Sequence, residues 1–324
     1  MTEADHTVAM VADTVRAVDL DADLDGRSVV AAVEVPATSA NLGPGYDALG
    51  VALDVPLLAI ARAPGPERVT SHGLGAGELP TGEGNLVWRA VVAWCERVGA
   101  DVPDVSIDVH SAIPLERGMG SSSAAAVAGL VLARALVGGP GGNADVLELA
   151  TALEGHPDNA AAAIAGGLVA CLPDGGFQRV TPDTGLIPVL LIPTTRQNTG
   201  HARGVLPVEV PLAVAAANGA RAVATFAGLA GLVPLQAAAM VDELHEPPRL
   251  AIMTTSGQLV GRLREAGVPA ALSGAGPSVL AVLDHPSQLR VVADAVDAVD
   301  GAVEVLETTW NLAGARVHRA PVPA

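Results

Sequence analysis

The apolar positions of the chain alternate between short β-branched runs and longer helical patterns. Val29–Val35 and Val51–Ile60 predict strands, because small and β-branched residues fill them between clusters of turn formers. Asn85–Val98 predicts an amphipathic helix, and Val105–His110 alternates like a further strand. The apolar residues of the predicted helix share roughly one face: Leu86, Val87, Ala90, Val91 and Trp94.

The second half of the chain continues this alternation. Ala144–Leu153 and Ala213–Leu232 carry helical patterns, and Val189–Ile192 predicts a core strand. Ala271–Leu283 contains a Gly-Ala-Gly turn followed by an apolar strand or helix. Arg134 and Arg221 interrupt the longest apolar stretches, so no run of about 18 apolar residues remains, and we predict no membrane span.

Charge and composition narrow the class of protein. The 324-residue chain has a net charge of −17 and 2% aromatic residues, which disfavours both phosphate-backbone binding and base stacking. Cys95 and Cys171 lie far apart in apolar surroundings, as is typical of reduced thiols in the cytoplasm. Residues 1–28 are acidic where a signal peptide is basic, and we expect a frayed N-terminal extension there.

The glycine- and serine-rich segment at 114–136, PLERGMGSSSAAAVAGLVLARAL, is the first candidate site. Gly118 and Gly120 permit a tight loop, and Ser121 is a good N-cap candidate for the alanine-rich helix that follows. Backbone N–H groups at such a helix end bind anions, and a nucleotide phosphate is the obvious one. The alternative is an ordinary glycine turn into a capped helix.

All 18 basic residues of the chain are arginines. The absence of lysine excludes a Walker-type phosphate loop, the paired lysine of protein kinases and Schiff-base chemistry. A phosphate bound by this chain is therefore expected to contact main-chain donors, serine hydroxyls, a metal ion or arginine.

Other polar residues lie in loops beside apolar segments. In the turn-rich segment Pro36–Leu53, Asn41 offers amide hydrogen bonds and Asp47 a carboxylate for a cationic group, although the segment also fits a simple turn between strands. Glu148 and Glu154 are six positions apart on one predicted helix, so they point in different directions and only one need face the candidate phosphate site. Either residue could instead be a solvent-exposed acid that interacts with the helix dipole. The GHPDN segment at 155–159 fits a helix stop as well as a site.

These motifs, in this order, resemble those of the GHMP kinases, the superfamily of galactokinase, mevalonate kinase, phosphomevalonate kinase and homoserine kinase. The resemblance is strongest to the homoserine kinase branch and covers roughly residues 30 to 315. It rests on PATSANLGPGYDALG, RGMGSSSAAAVAG, EGHPDNAAAAIAGG, LHEPPR and LSGAGPSVLA. Tyr46 stands where phenylalanine is more usual and Met119 where leucine is, and three consecutive serines stand where two are common.

The resemblance implies an α+β protein with a two-domain GHMP kinase fold and the active site between the domains. We expect an acidic extension at residues 1–28, a ribosomal-protein-S5-like ATP-binding domain at 29–185 and a ferredoxin-like domain at 186–324. It also implies a cytoplasmic, ATP- and Mg²⁺-dependent kinase that forms O-phospho-L-homoserine in threonine biosynthesis. A homodimer without nucleic-acid or membrane partners is what the family suggests.

The resemblance further implies roles for individual residues. ATP would contact Asn85, Pro114, Arg117, Gly118, Met119, Gly120, Ser121, Ser122 and Ser123. Magnesium would bind Ser122 and Glu148. L-homoserine would contact Asn41, Asp47, His156, Asn159, Thr199, Arg203, Arg249 and Gly274. The catalytic set would comprise Ser122, Glu148, Asn159 and Arg203.

Asn159 stands where mevalonate kinases are expected to have an aspartate general base. An asparagine side chain accepts no proton at neutral pH, so we predict phosphoryl transfer by positioning and charge neutralisation. Two rival hypotheses are a kinase of the same superfamily that acts on another alcohol and a GHMP-like protein that binds nucleotide without catalysis.

Overall fold

The computed structural model describes residues 7–22, 26–65 and 68–319, which form two β-sheets and ten α-helices. The first sheet contains β1 (Ser28–Ala40), β2 (Leu49–Ala63), β3 (Arg68–Gly73), β4 (Ser106–Ser111), β5 (Leu168–Cys171), β6 (Phe177–Val180) and β11 (Arg316–Arg319). Its order is β11-β1-β2-β4-β3, with β5 paired to β2 and β6 to β5. The β3–β4 pair is parallel and the other pairs are antiparallel.

The second sheet is antiparallel and smaller. Its strands are β7 (Ile187–Pro193), β8 (Ala270–Leu272), β9 (Val279–Leu283) and β10 (Val303–Glu307), in the order β10-β7-β9-β8. The helices are α1 (Val8–Arg16), α2 (Leu86–Val98), α3 (Ser121–Val137), α4 (Asn143–Glu154), α5 (Asp158–Ala165), α6 (Thr199–Gly204), α7 (Leu212–Leu229), α8 (Glu246–Ile252), α9 (Thr254–Glu265) and α10 (Leu289–Asp297). This arrangement confirms the α+β prediction.

The helix α3 is the centre of the larger core. It packs against β1 and β2 on one side and against α2, α4 and α5 on the others. A helix that is apolar all round is expected to be buried, and every residue from Ala126 to Ala133 is buried. Because Gly129 lies close to the backbone of Val87, an added Cβ would come within 2.3 Å of the Val87 carbonyl oxygen. This packing holds α3 in place, and with it the candidate phosphate site at its N-terminus.

The N-terminal segment differs from the expected frayed extension. Residues 8–16 form α1, whose Val8, Val11, Ala12 and Val15 are buried against the first sheet. The Thr7 side chain caps the helix, and the Val8 N–H donates to Glu304 Oε1 at 2.7 Å. The expectation of fraying is therefore wrong for this helix, because its apolar face finds a surface to cover. Residues 1–6 and 23–25 lie outside the described residues.

The last strand of the chain belongs to the first sheet rather than to the second. β7 begins at Ile187, close to the expected boundary, but β11 returns to pair with β1 in the first sheet. The boundaries at 28/29 and 185/186 stay a prediction.

Among the described residues, α7 is long and apolar enough to cross a membrane by length and composition. Arg221 interrupts its apolar run, as expected from the sequence, and the expectation of no membrane span stays a prediction. The helix is nevertheless bonded to its neighbours in the fold: Asn218 Nδ2 donates to the Pro44 carbonyl and Thr225 Oγ1 to the Ala239 carbonyl, at 2.9 and 2.7 Å.

Candidate active site

The structure brings most of the predicted site residues to one cavity of about 500 Å³. It is lined by Asn41, Asp47, Asn85, Pro114, Arg117, Gly118, Met119, Gly120, Ser121, Ser122, Ser123, His156, Asn159, Arg203, Arg249 and Gly274. Of the predicted residues whose side chains are described, Glu148 alone does not line it. Thr199 begins α6, and its side chain lies outside what the structure describes.

The phosphate-loop candidate ends at the N-terminus of α3. The N-cap is Gly120 rather than the predicted Ser121, and no described side chain caps this end. The first hydrogen bond of the helix runs from Ala124 N to Gly120 O at 2.8 Å. The N–H groups of Ser121, Ser122 and Ser123 therefore have no carbonyl partner within the helix, and the helix dipole favours an anion beside them.

Close contacts with neighbouring segments require glycine at two positions of this loop. Gly118 and Gly120 have φ values of 72° and 70°, in the left-handed region. A Cβ on Gly118 would lie 2.2 Å from the Ser273 carbonyl oxygen, and one on Gly120 would lie 2.0 Å from Thr38 Oγ1. The loop is thus held against the segments PATSANLGPGYDALG, which contains Thr38, and LSGAGPSVLA, which contains Ser273.

Hydrogen bonds directly connect the three loops at residues 36–47, 118–123 and 273–277. Ser273 Oγ lies 2.7 Å from the Gly118 carbonyl oxygen and 2.9 Å from Ser39 Oγ, so it donates to the carbonyl and accepts from Ser39. Asn41 Nδ2 donates to the Gly274 carbonyl at 2.7 Å, and its Oδ1 accepts from Asp47 N at 3.1 Å. The Asn41 amide therefore holds these loops together, and its predicted contact with the substrate stays a prediction.

Thr38 joins this site although sequence reasoning did not single it out. Its Oγ1 donates to Asn159 Oδ1 at 2.7 Å, and its N–H donates to the Met119 carbonyl at 3.1 Å. Thr38 is fully buried and Asn159 nearly so. A small β-branched residue in a strand gave no functional signal, because its partner is 121 positions away in sequence.

The structure corrects the expected position of Glu148. Its carboxylate pairs with Arg97 at 2.7 Å, and its side chain is 68% exposed. Glu154, at the C-terminal end of α4, accepts hydrogen bonds from Ser122 Oγ and from Ser123 Oγ, the latter at 3.3 Å. The oxygen pair expected from Ser122 and Glu148 is thus formed by Ser122 and Glu154 in this structure, because the six-residue separation turns the two acids to different sides of the helix.

Asp47 and Arg203 form a forked ion pair in the cavity. Arg203 Nη2 and Nη1 donate to the two carboxylate oxygens at 2.7 and 3.0 Å, and Nη1 also donates to the Tyr46 hydroxyl at 2.7 Å. The hydrogen bond and charge of Asp47 raise the pKa of Arg203. Burial, reinforced by Asp47, raises the pKa of Tyr46. Asp47 has a φ of 53°, so the loop holds this carboxylate in a conformation that few non-glycine residues adopt.

Arg249 is a buried cation beside that pair. Its Nε donates to the Ala202 carbonyl at 3.1 Å, and its Nη1 approaches the Gly274 carbonyl at 3.3 Å. Among the described residues it has no carboxylate partner within 4.0 Å. Burial lowers the pKa of Arg249. The guanidinium nevertheless stays charged, because the ordinary pKa of arginine is far above neutral pH. The site thus holds a fixed positive charge that a ligand carboxylate can neutralise.

His245 orients Arg249 and was also missed by sequence reasoning. Its Nδ1 lies 3.1 Å from Arg249 Nη1 and its Nε2 lies 2.8 Å from the Gly43 carbonyl oxygen. Since Nη1 is a donor and the carbonyl an acceptor, the neutral Nε2–H tautomer satisfies both bonds. Burial lowers the pKa of His245, in agreement with a neutral ring.

His156 and Asp158 form a second pair in the cavity wall. His156 Nδ1 lies 3.1 Å from Asp158 Oδ1, which also accepts from Asn159 N at 2.8 Å. Burial by itself lowers the pKa of His156, but the hydrogen bond and charge of Asp158 outweigh it and raise the pKa above its ordinary value. An imidazolium here presents a donor to the cavity.

Two further predicted residues have structural contacts. Asn85 caps α2 by accepting from Val87 N at 2.9 Å, and its Nδ2 donates to the Pro80 carbonyl at 2.7 Å. Arg117 Nη1 donates to the Thr195 carbonyl at 2.6 Å. Their predicted contacts with ATP stay predictions.

The family models of the GHMP kinases N terminal domain and of GHMP kinases C terminal match residues 85–167 and 229–300. A homoserine kinase of Leifsonia xyli is 41% identical over 310 residues, which cover 92% of this chain and 94% of that protein. A homoserine kinase of Moorella thermoacetica is 43% identical over 77% of this chain and 86% of its own.

The solved structures agree in fold. The crystal structure of homoserine kinase from Cytophaga hutchinsonii matches with a TM-score of 0.79 at 27% identity, over 89% of this chain and 96% of that one. The mevalonate kinase of Methanococcus jannaschii matches with a TM-score of 0.57 at 11% identity, over 86% of this chain and 98% of its own, which shows a shared fold. The cavity, the three joined loops and these matches lead to one assignment: the chain belongs to the homoserine kinase family of the GHMP kinases.

Proposed function

We propose that this chain transfers the γ-phosphoryl group of ATP to the side-chain hydroxyl of L-homoserine, giving O-phospho-L-homoserine and ADP, and so supplies threonine biosynthesis. The observation that carries the substrate assignment is the buried Arg249, which has no carboxylate partner among the described residues and lies beside the Asp47–Arg203 ion pair. The chain's membership in the homoserine kinase family supports the same substrate.

The charges of the cavity match those of a free amino acid. The ammonium and carboxylate of an amino acid share one carbon, so their receptor needs an anion and a cation close together. Asp47 and Arg203 provide such a pair, because Arg203 Nη2 lies 2.7 Å from Asp47 Oδ1. The buried Arg249 adds a second cation for the carboxylate. Mevalonate carries a carboxylate but no ammonium, so Asp47 would remain without a ligand partner in its complex.

The N-terminus of α3 is the proposed phosphate site. The N–H groups of Ser121–Ser123 and the helix dipole would hold the ATP phosphates. The donor set beside them fits magnesium, because the hydroxyl of Ser122 and the carboxylate of Glu154 are hard oxygen ligands in contact with each other. When bound, the ion neutralises negative charge on the phosphates. Glu148, predicted from the resemblance, is the alternative carboxylate.

Asn159 would position the homoserine hydroxyl. Its Oδ1 already accepts from Thr38, and its Nδ2 lies 3.3 Å from Asp158 Oδ1, so the amide is held in one orientation. It accepts no proton at neutral pH, and the hydroxyl proton would leave late, to the phosphate or to water. Phosphoryl transfer has a loose transition state that depends mainly on in-line placement and charge stabilisation, which this site is built to supply.

The remaining expectations belong to the same proposal. A cytoplasmic homodimer without a membrane partner is what the family suggests, and the net charge of −17 with the scarcity of aromatic residues supports the absence of a nucleic-acid partner.

The direct test is ADP release with Mg-ATP and a panel of L-homoserine, L-threonine, mevalonate and galactose. We expect turnover with L-homoserine alone. Turnover on another alcohol would retain the kinase and overturn the substrate, and turnover on none would favour a nucleotide-binding protein without catalysis.

A further inference from the structure

Tyr46, the single tyrosine of the sequence, lies next to the cavity without lining it. It contacts two arginines that do line it. Arg203 Nη1 donates to the Tyr46 hydroxyl at 2.7 Å, and the Cζ atoms of Arg203 and Arg249 each lie 5.5 Å from the centroid of its ring. A guanidinium at such a distance is attracted to the electron-rich face of an aromatic ring. Tyr46 can therefore act on a ligand in the cavity through these two side chains.

The Tyr46 hydroxyl completes the hydrogen bonds of Arg203 Nη1. This nitrogen carries two hydrogens, and it donates to Asp47 Oδ2 at 3.0 Å as well as to the hydroxyl. Nη2 donates to Asp47 Oδ1 at 2.7 Å. Burial, reinforced by the charge of Asp47, raises the pKa of Tyr46, so the hydroxyl stays neutral at physiological pH. Three hydrogen bonds to two adjacent residues thus hold the Arg203 guanidinium in one place.

Arg249 is held in a different way. Its Nε and Nη1 are bonded within the protein, to the Ala202 carbonyl and to His245 Nδ1, each at 3.1 Å. Its Nη2 has no hydrogen-bond partner among the described residues, so both hydrogens of that nitrogen are available to a ligand. Burial lowers the pKa of Arg249, and the charge of Arg203 adds to this effect, because the two cations repel each other.

We propose that Tyr46 is a positioning residue that holds Arg203 on Asp47, so that recognition of the substrate carboxylate depends mainly on Arg249. This inference rests on the proposed function, since it concerns the carboxylate of L-homoserine. Without the hydroxyl, Arg203 Nη1 has a hydrogen that lacks an acceptor, and the guanidinium is free to turn from Asp47 towards the ligand. Tyr46 thus gives the two arginines separate roles, one at the anion that receives the ammonium and the other at the carboxylate.

A double-mutant cycle tests this division of roles. We would measure kcat/KM for L-homoserine in the wild type, Tyr46→Phe, Arg249→Leu and the double variant. We expect Arg249→Leu to cost at least about a hundredfold in the wild-type background but at most about tenfold in the Tyr46→Phe background, where Arg203 can replace it. Tyr46→Phe alone should raise the KM for L-homoserine about fivefold and leave the KM for ATP nearly unchanged. Arg290→Leu, at a side chain that is 83% exposed, is the control and should cost nothing in either background.

A spectroscopic measurement follows the Tyr46–Arg203 contact itself. Because Tyr46 is the only tyrosine, protein labelled with ¹³C at the tyrosine Cζ atom gives a single NMR resonance. Arg203→Leu provides the position of this resonance when the hydrogen bond to the hydroxyl is missing. We expect L-homoserine, added to the wild type well above its KM, to leave the resonance away from that position, because Arg203 stays on Tyr46 in the complex.

Two results would overturn this inference alone while the wild type still phosphorylates L-homoserine. One is an equal loss from Arg249→Leu in both backgrounds, and the other is a resonance that L-homoserine moves to the position seen in Arg203→Leu. A wild type without turnover of L-homoserine would overturn the proposed function and this inference with it. Far-UV circular dichroism of each variant, expected to match the wild type, shows that it folds. If Arg249→Leu does not fold, the wild-type resonance decides.

Discussion

The Thr38 hydroxyl donates a 2.7 Å hydrogen bond to Oδ1 of Asn159, inside the protein and next to the phosphate loop. The same residue holds that loop through its N–H, which donates to the Met119 carbonyl at 3.1 Å. Thr38 therefore sets the distance between the loop that would hold ATP and the amide that would position the acceptor hydroxyl.

Replacing the Thr38 hydroxyl removes the side-chain hydrogen bond to Asn159 and leaves the backbone hydrogen bond to Met119 in place. Thr38→Val keeps the shape but leaves a buried amide oxygen without its donor, and we expect kcat to fall about tenfold or more. Thr38→Ser retains the hydroxyl and should keep most of the rate. Steady-state kinetics measures both. A kcat that is unchanged in Thr38→Val, or that falls only in Thr38→Ser, would mean that the hydrogen bond to Asn159 does not matter for turnover.

Glu148 and Glu154 of α4 can be distinguished by the magnesium dependence of turnover in their variants. Glu154 contacts Ser122, whereas Glu148 is paired with Arg97 at 2.7 Å. We expect Glu154→Gln to raise the Mg²⁺ concentration needed for half-maximal turnover, and Glu148→Gln to leave it nearly unchanged. The reverse result would restore the assignment implied by the resemblance, with Glu148 as the ligand.

The His156–Asp158 pair predicts a pH-dependent contribution to stability. Asp158 raises the pKa of His156, so protonated His156 stabilises the folded state fully below its unfolded pKa of about 6.5. That contribution is lost as the pH rises through the folded pKa. In Asp158→Asn the pKa of His156 should fall, since burial is then opposed only by the weaker effect of the Asp47 charge. An NMR titration of the imidazole measures the pKa directly, and an unchanged value would remove Asp158 as the cause.

Asn218 links α7 to the substrate loop, because it donates to the Pro44 carbonyl three residues before Asp47. We expect Asn218→Ala to raise the KM for homoserine about tenfold and to leave the KM for ATP nearly unchanged. Thr225→Val removes a hydrogen bond from the same helix to Ala239 and provides the matched control. If both variants change the KM for homoserine equally, the change would result from a general loss of α7 stability rather than from the loss of the Asn218–Pro44 hydrogen bond.

The secondary structure was largely predictable, since the periodic segments are long. Val29–Val35 lies inside β1 and Ala144–Leu153 inside α4. The turn before residue 279 leads into a strand, β9. The N-cap of α3 was wrong by one residue, because Gly120 takes the left-handed conformation that frees the serine N–H groups.

The site was predictable as a set of loops but not as a set of partners. The resemblance to the GHMP kinases implied that Asp47 and Arg203 share one pocket, yet their ion pair depends on a contact between residues 156 positions apart. The choice between Glu148 and Glu154 depends on how α4 packs against α3, and Thr38 and His245 act only through tertiary contacts.

The central claim is that Arg249 binds the substrate carboxylate, and the most direct test compares two substrates in two proteins. We would measure kcat/KM for L-homoserine and for the amino alcohol that lacks its carboxylate, with the wild type and with Arg249→Leu. Arg290→Leu, at a side chain that is 83% exposed, is the control. We expect Arg249→Leu to lose at least about a hundredfold on L-homoserine and little on the amino alcohol. Equal losses on both substrates would contradict the assignment of Arg249 to the carboxylate.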